Sequence, residues 1–344
     1  MKKLLGLFMI AVLTLVGCSQ SKEKQDVVKV AMCTDQAGID DGSFSELTWK
    51  GIQQFAEKHE EVSIQYATPS DTSTAELVNN IDNLVMSGNE IIVVAGYVFE
   101  EAIQKASVAY PDVDFILIDG EVNADNVVSI KFAENEAGFL AGVVSALETK
   151  TGKVSYMGGI EVPAVVAYGI GFQYGVEYAN ENLGTNAEIV DYVYSGTFTD
   201  FNVGQTLSAG MFDKGVDIIM GTAGVATQGA IAEAKQRGDV YIVGCDSDQY
   251  SDGAMDNGNS VVLTSAMKHI DVAVQEVLTQ WLSGEFPSGE TLIMDATVDG
   301  VGLPTENANI SEETLSIIEE VKALMKQGEI KVPSTQEELD EYLK

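Results

Sequence analysis

Short runs rich in Val and Ile alternate with amphipathic helical segments along this chain, and the alternation is gone through twice. In the first pass the strand-like runs are Val27 to Met32, Val62 to Tyr66, Glu90 to Ala95, Asp114 to Ile118 and Val127 to Phe132. They are apolar on both faces, as strands covered from two sides must be. Between them the period changes to that of a helix, with Phe44, Leu47, Gly51, Ile52 and Phe55 in one segment and Leu77, Ile81, Leu84 and Val85 in the next. Ser43 with Glu46, and Ser73 with Glu76, have the spacing of capping boxes at the starts of these helices. Strand-helix-strand order of this kind builds a parallel sheet with right-handed crossovers.

The pattern restarts at Lys153, with strands expected at Val154 to Met157, Ile189 to Val193, Asp217 to Met220 and Tyr241 to Cys245. Helices fall at Val166 to Asn180, Asn202 to Phe212 and Thr227 to Arg237. Two doubly wound α/β lobes follow from this. The trailing elements, a strand from Val261, a helix from Ile270 to Leu282, a strand at Thr291 to Met294 and a helix at Glu312 to Met325, are too few for a third domain. They are expected to cross between the lobes, with three hinge strands near 148–151, 258–266 and 287–297. The expected division is 27–148 plus 265–287 for the first lobe and 151–260 plus 291–344 for the second. Ser334 with Glu337 should cap a short acidic helix at the C-terminus.

The N-terminus indicates where such a molecule works. Lys2 and Lys3 precede an apolar run from Leu4 to Gly17 that is too short to span a bilayer, and Leu15-Val16-Gly17-Cys18 resembles the lipobox of a bacterial lipoprotein. Residues 1–17 then form a signal peptide, Cys18 carries the lipid, and 18–26 are a hydrophilic tether. A diacylglycerol on Cys18 would hold the chain stably at the membrane surface, because two acyl chains suffice where one is marginal. With 53 acidic against 19 basic residues, the net charge of -34 opposes contact with a phosphate backbone, so nucleic acid is not an expected partner. Cys33 and Cys245 each end an apolar run and read as buried free thiols, and His59 and His269 offer no zinc spacing. No metal or other cofactor is expected.

In an open α/β sheet a ligand sits beyond the carboxyl ends of the strands. That rule selects Asp35 and the loop to Gly42 that delivers Phe44, then Asp119-Gly120, Gly158-Gly159, the stretch Gly221 to Gly224, and Asp246. Each aspartate alone could cap a turn or a helix. Together with glycines that let a ligand approach the backbone, they suit a neutral ligand bearing hydroxyl groups.

Several longer stretches carry a resemblance: Thr34-Asp35 with Gly38-Ile39-Asp40-Asp41-Gly42-Ser43-Phe44, Phe115 to Asp119, Glu136 to Gly142, Gly171-Phe172, Ser195 to Asp200, Gly244 to Gln249, and Thr264 to Lys268. In these the chain resembles the basic membrane protein family of bacterial substrate-binding lipoproteins, whose best-understood members bind purine nucleosides for an ABC transporter. The resemblance implies the type I periplasmic-binding-protein fold, two Rossmann-like lobes with parallel sheets joined by a three-strand hinge and closing on the ligand. It implies a monomer anchored on the extracytoplasmic face of the cell membrane, with an ABC permease and ATPase as partners.

By the same resemblance Phe44 would stack on one face of the base, with Phe198, or in its place Phe172, on the other. Asp35 and Asp119 would bind base or sugar, Asp246 would accept from ribose hydroxyls, and Lys268 would reach the ribose or balance Asp246. Gly221, chosen by the strand-end rule and not by the resemblance, would let the ligand approach the backbone. Many relatives have Asn where this chain has Ser45, and a hydroxyl cannot be donor and acceptor together to a purine edge as an amide can. The nucleoside class is therefore better supported than the purine. Among enzymes, the nearest pattern is the Asp-rich calcium loop of nucleoside hydrolases, which Thr34 to Asp41 fails to reproduce because Cys33 replaces its first Asp. An adhesin or sensory lipoprotein on the same fold is the remaining alternative.

Overall fold

The computed structural model describes residues 27–306 and 308–344. The leader, Cys18 and the tether lie outside the described residues. The first pass gives β1 (Val28–Cys33), α1 (Phe44–Glu57), β2 (Val62–Ala67), α2 (Thr74–Met86), β3 (Ile91–Ala95), α3 (Glu100–Ala109), β4 (Asp114–Ile118) and β5 (Val127–Phe132). The second begins with α4 (Glu134–Glu148), β6 (Lys153–Gly158), α5 (Pro163–Asn182), β7 (Glu188–Tyr194), α6 (Phe201–Asp213), β8 (Ile218–Thr222), α7 (Val225–Arg237), β9 (Tyr241–Asp246) and β10 (Val262–Lys268). Then follow α8 (Ile270–Leu282), β11 (Thr291–Met294), β12 (Val301–Gly302), α9 (Glu312–Lys326) and α10 (Gln336–Tyr342).

Two six-stranded sheets result, ordered β11-β5-β4-β3-β1-β2 and β12-β10-β9-β8-β6-β7. Strand for strand the orders are the same, so β1 corresponds to β6, β4 to β9 and β5 to β10. All pairs are parallel except β10 with β12. This is the α/β class and the two-lobed architecture expected. The apolar runs became central strands covered on both faces: Leu77, Ile81 and Ile103 pack on Phe115 and Leu117 outside the first sheet, and Met211, Phe212 and Ala230 on Ile219 and Ile242 outside the second. A third, continuous core fills the inner faces and joins the lobes, including Phe55, Ile116, Phe139, Tyr156, Phe172 and Val274. Cys33 and Cys245 are buried free thiols.

The crossings fall elsewhere than expected. Helix α4 follows β5 of the first sheet yet packs on α5 and on β10 of the second lobe, so the chain crosses at 132–134 and not at 148–151. The reason lies in the facing glycines of α4 and α5. A Cβ on Gly171 would lie 2.0 Å from the Asn135 carbonyl oxygen, and one on Gly142 2.3 Å from that of Phe172. The two backbones touch, which seats α4 against α5 and so with the second lobe.

All of β10 lies in the second sheet, so the second crossing is at 268–270, after the expected 258–266. The third crossing, from β11 to β12, starts at Met294. Strand β11 pairs with β5, which places 291–294 with the first lobe, contrary to their expected assignment. Helix α8 packs on α1 of the first lobe. The three crossings are hydrogen-bonded together: Ala133 N–H donates to the Met294 carbonyl at 3.1 Å, Ala296 N–H to Glu136 Oε2 at 2.7 Å, and His269 N–H to the Gly300 carbonyl at 2.9 Å. At the C-terminus Thr335 and Glu338 form the capping box, one residue beyond the expected pair, and Tyr342 donates to Glu181 of α5 at 2.6 Å.

Candidate ligand-binding site

Between the carboxyl edges of the two sheets lies a cavity of about 380 Å³, within the size range of small-molecule sites. Six of the eight expected ligand-binding residues line it: Asp35, Phe44, Asp119, Phe198, Asp246 and Lys268. The structure thus brings them together from both lobes.

Ser45 and Gly221 are not on the cavity wall. Ser45 is fully buried behind it, its hydroxyl 3.3 Å from Asp35 Oδ1. Gly221 is covered by Thr227, whose Cγ2 would lie 2.8 Å from a Cβ there; its neighbours Thr222 and Gly224 reach the cavity instead. Phe172 sits in the core beside Tyr156, so of the two expected aromatics of the second lobe it is Phe198 that lines the cavity.

The loop before α1 is held by Asp41. Its carboxylate accepts from the backbone N–H groups of Ser43, Ser45 and Glu46 at 2.9–3.0 Å. Asp41 thereby does the capping expected of Ser43, whose side chain makes no cap bond. This fixes Phe44 at the first turn, where a carboxylate also favours the helix dipole. The loop touches the opposite lobe, since Ser247 Oγ donates to the Gly42 carbonyl at 2.9 Å.

Asp119 directly follows β4 and Asp246 ends β9, which occupy equivalent places in their sheets. Both have left-handed backbones, with φ of 54° and 61°. Aspartate tolerates this conformation better than most residues, and strained backbones of this kind cluster at ligand sites. Lys268, at the end of β10, is 2% exposed. Its Nζ lies 2.5 Å from Asp119 Oδ2, 2.9 Å from Glu134 Oε1 and 3.7 Å from Asp246 Oδ1. The rings of Phe44, Phe132 and Tyr168 surround the ammonium with centroids at 5.3–5.6 Å.

Burial opposes charge on Lys268, but three adjacent carboxylates override it and hold the group above its ordinary value. Burial raises Asp246, against the pull of Lys268. Glu134 is pushed up to about 7, again by burial first and in spite of Lys268. Asp35 is raised to about 6 by burial and then by Asp41. One cation thus faces three carboxylates, with Asp35 and Asp41 close by. Asp119 Oδ1 is buried with no hydrogen-bond partner. Such a site favours hydroxyl and N–H donors and opposes anions.

Sequence reasoning missed Glu134 and Tyr168. Tyr168 donates to Asp246 Oδ1 at 3.2 Å. Glu134 was within reach of the strand-end rule, because it stands two residues after β5. Tyr168 lies inside a helix that reads as core, so nothing in its spacing marks it.

Two similar lobes, a cleft at their sheet edges and polar groups converging from both sides define a solute-binding protein of the hinged, two-lobed class. The fold matches a solute-binding protein of an ABC transporter system from Aeropyrum pernix with a TM-score of 0.78 and 26% identity, covering 92% of this chain and 96% of that one. The chain belongs to the family of PnrA-like ABC transporter substrate-binding proteins, whose model matches residues 28–336. It is 35% identical to a CD4+ T-cell-stimulating antigen of Listeria monocytogenes, over 88% of this chain and 87% of that protein. It is 27% identical to the ABC transporter nucleoside-binding protein BmpA of Lactococcus lactis, over 94% and 96%.

Proposed function

We propose that the protein is the extracytoplasmic receptor of an ABC transporter for nucleosides, purine nucleosides first, and that it acts by hinge closure. The observation that carries this reading is the cavity wall itself, where Phe44 and Phe198 come from opposite lobes and Asp119, Asp246 and Lys268 converge between them. Two aromatic faces suit a base, at about 1–3 kcal/mol per stacked base. Carboxylates and an ammonium beside them suit a ribose. Asp119 Oδ1, buried and unpartnered, is an acceptor awaiting a ligand hydroxyl or N–H. Asp35 then faces the base edge, with Ser45 steadying the carboxylate from behind and not touching the ligand.

Closure follows from the distribution of these groups. A ligand meets both sets of contacts only when the lobes are together, so binding shifts the population toward the closed form, which docks on the permease. The receptor works as a monomer, held to the membrane by lipid on Cys18 with a tether of roughly 36 Å at full extension. It performs no chemistry on its ligand. Phosphorylated nucleosides are excluded, because a phosphate would enter a site whose single ammonium is already shared by three carboxylates.

The test is mass spectrometry of small molecules that co-purify with the protein, followed by calorimetric titration with a nucleoside panel. Purine ribonucleosides should bind in the closed cleft, and their 5′-monophosphates at least tenfold more weakly. Absence of binding across the panel would refute the reading. Labelled palmitate should enter the wild-type chain and not a Cys18→Ala variant, and incubation with a bound nucleoside should release no free base.

A further inference from the structure

Glu134 is the buried carboxylate that no cavity contact explains. It is absent from the cavity wall and 7% exposed, at the first residue of α4, where the chain has just crossed between lobes. Its Oε1 lies 2.9 Å from Lys268 Nζ. Lys268 itself is placed immediately before the second crossing, and it touches Asp119 of the first lobe and Asp246 of the second.

The need for Glu134 is plain from the geometry around the ammonium. A lysine side chain has four rotatable bonds and three equivalent donors, and the hydrogen bond to Asp119 Oδ2 directs only one of them. Phe44, Phe132 and Tyr168 confine the ammonium sideways, but rings exert no hydrogen-bond direction. Asp119 and Asp246 lie on the cavity side. Among the described residues, Glu134 is the carboxylate paired with this ammonium that does not line the cavity, and it holds the ammonium from behind. The groups that act on Glu134 in this cluster are Lys268, Asp119 and the Tyr168 hydroxyl, and burial of a third carboxylate here is costly, as its rise to about 7 shows. A purely structural position would be filled more cheaply by Gln.

We propose that Glu134 is a positioning residue, which anchors one Lys268 N–H from behind so that the remaining donors are aimed at Asp119 and into the cavity, where they discriminate ligands by their sugar hydroxyls. The inference rests on the nucleoside reading for the identity of the hydroxyls, and on the geometry alone for the anchoring of Lys268.

The experiment compares wild type, Glu134→Gln and Glu134→Asp at pH 8, above the value of about 7 to which Glu134 is pushed. Calorimetry with guanosine, adenosine and their 2′- and 3′-deoxy analogues gives the ratio of affinities for ribo and deoxy ligands. In Glu134→Gln the ribonucleosides should lose about tenfold and one of the deoxy series less than twofold, so that the ratio collapses, and Glu134→Asp should recover part of it. Equal losses for all ligands, with a lowered melting temperature, would reduce Glu134 to a structural role and overturn the proposal. A second measurement needs no ligand: in lysine-labelled protein the Lys268 15Nζ ammonium protons should be protected from exchange in wild type and lose protection in Glu134→Gln. If no nucleoside binds to wild type, the nucleoside reading fails while the anchoring is decided by this signal, and unchanged protection sinks it.

Discussion

Asp119 and Asp246 hold equivalent places in the two sheets and meet at the same ammonium, Lys268 Nζ, at 2.5 and 3.7 Å. Each stands at the carboxyl end of the corresponding strand, and each has a left-handed backbone. The repeat in the fold therefore produces a repeat in the site, two carboxylates presented from opposite lobes with one lysine between them.

Three carboxylates around one cation leave an excess of negative charge, which sets opposite expectations for stability and binding. Asp246→Asn keeps the size of the side chain, tolerates the left-handed backbone and removes one repulsive charge. Ligand-free protein should melt at or above the wild-type temperature, while nucleoside affinity falls at least tenfold. Thermal melts and calorimetry on one preparation check both, and unchanged affinity would reject the assigned role.

Removing the cation should do the reverse. In Lys268→Met the carboxylates of Asp119, Glu134 and Asp246 lose their shared partner in a site with little solvent. Breaking buried ion pairs from one side costs about 3–5 kcal/mol. The denaturant midpoint should fall markedly at pH 8 and recover at pH 5, because Glu134, raised by burial even against the pull of Lys268, takes up a proton more readily still once the lysine is gone.

Much of this was legible in the sequence, and the errors have physical causes. Strand positions were readable because strands buried on both faces are apolar without interruption. The strand-end rule found Asp35, Asp119 and Asp246 because in this fold class position along a strand determines position in the cleft. The hinges were misplaced because lobe membership of α4 depends on which helix its glycines touch: Gly138, Gly142, Gly171 and Gly175 look alike in sequence whether they face a ligand or a neighbouring backbone. The first cap was misassigned because Asp41, two residues outside the usual position, reaches the Ser45 and Glu46 N–H groups that a Ser43 cap would have served, and that of Ser43 as well. Gly221 illustrates the one-residue resolution of the rule, since its neighbour Thr222 is the residue at the cavity.

Asp35 gives a pH dependence with a definite sign. Burial and the nearby Asp41 raise it to about 6, so folding favours its neutral form. Its contribution to stability is present at low pH, below the ordinary value near 3.8, and is lost as pH rises through about 6. Above that, the ionised group opposes folding by up to about 3 kcal/mol. Asp35→Asn should therefore raise the melting temperature of ligand-free protein at pH 8 and change it little at pH 4. An equal effect at both would show that the carboxyl is not perturbed.

The second aromatic wall depends on a residue without a side chain. Phe198 lies against Gly159, where a Cβ would come within 2.2 Å of its Cε1 and 2.4 Å of its Cδ1. Cβ contacts essentially never fall under 3.0 Å, so Gly159→Ala must displace the ring toward the cavity by about the difference, on the order of 1 Å. Stacking on a base is worth about 1–3 kcal/mol and is sensitive to such a displacement. Nucleoside affinity should fall by about tenfold, while any binding of free ribose is unchanged. Gly221→Ala is the control: its new methyl would meet the buried Thr227 side chain, away from the cavity, and should lower stability without altering the preference for aromatic bases. If Gly159→Ala binds nucleosides as wild type does, Phe198 is not the second stacking face.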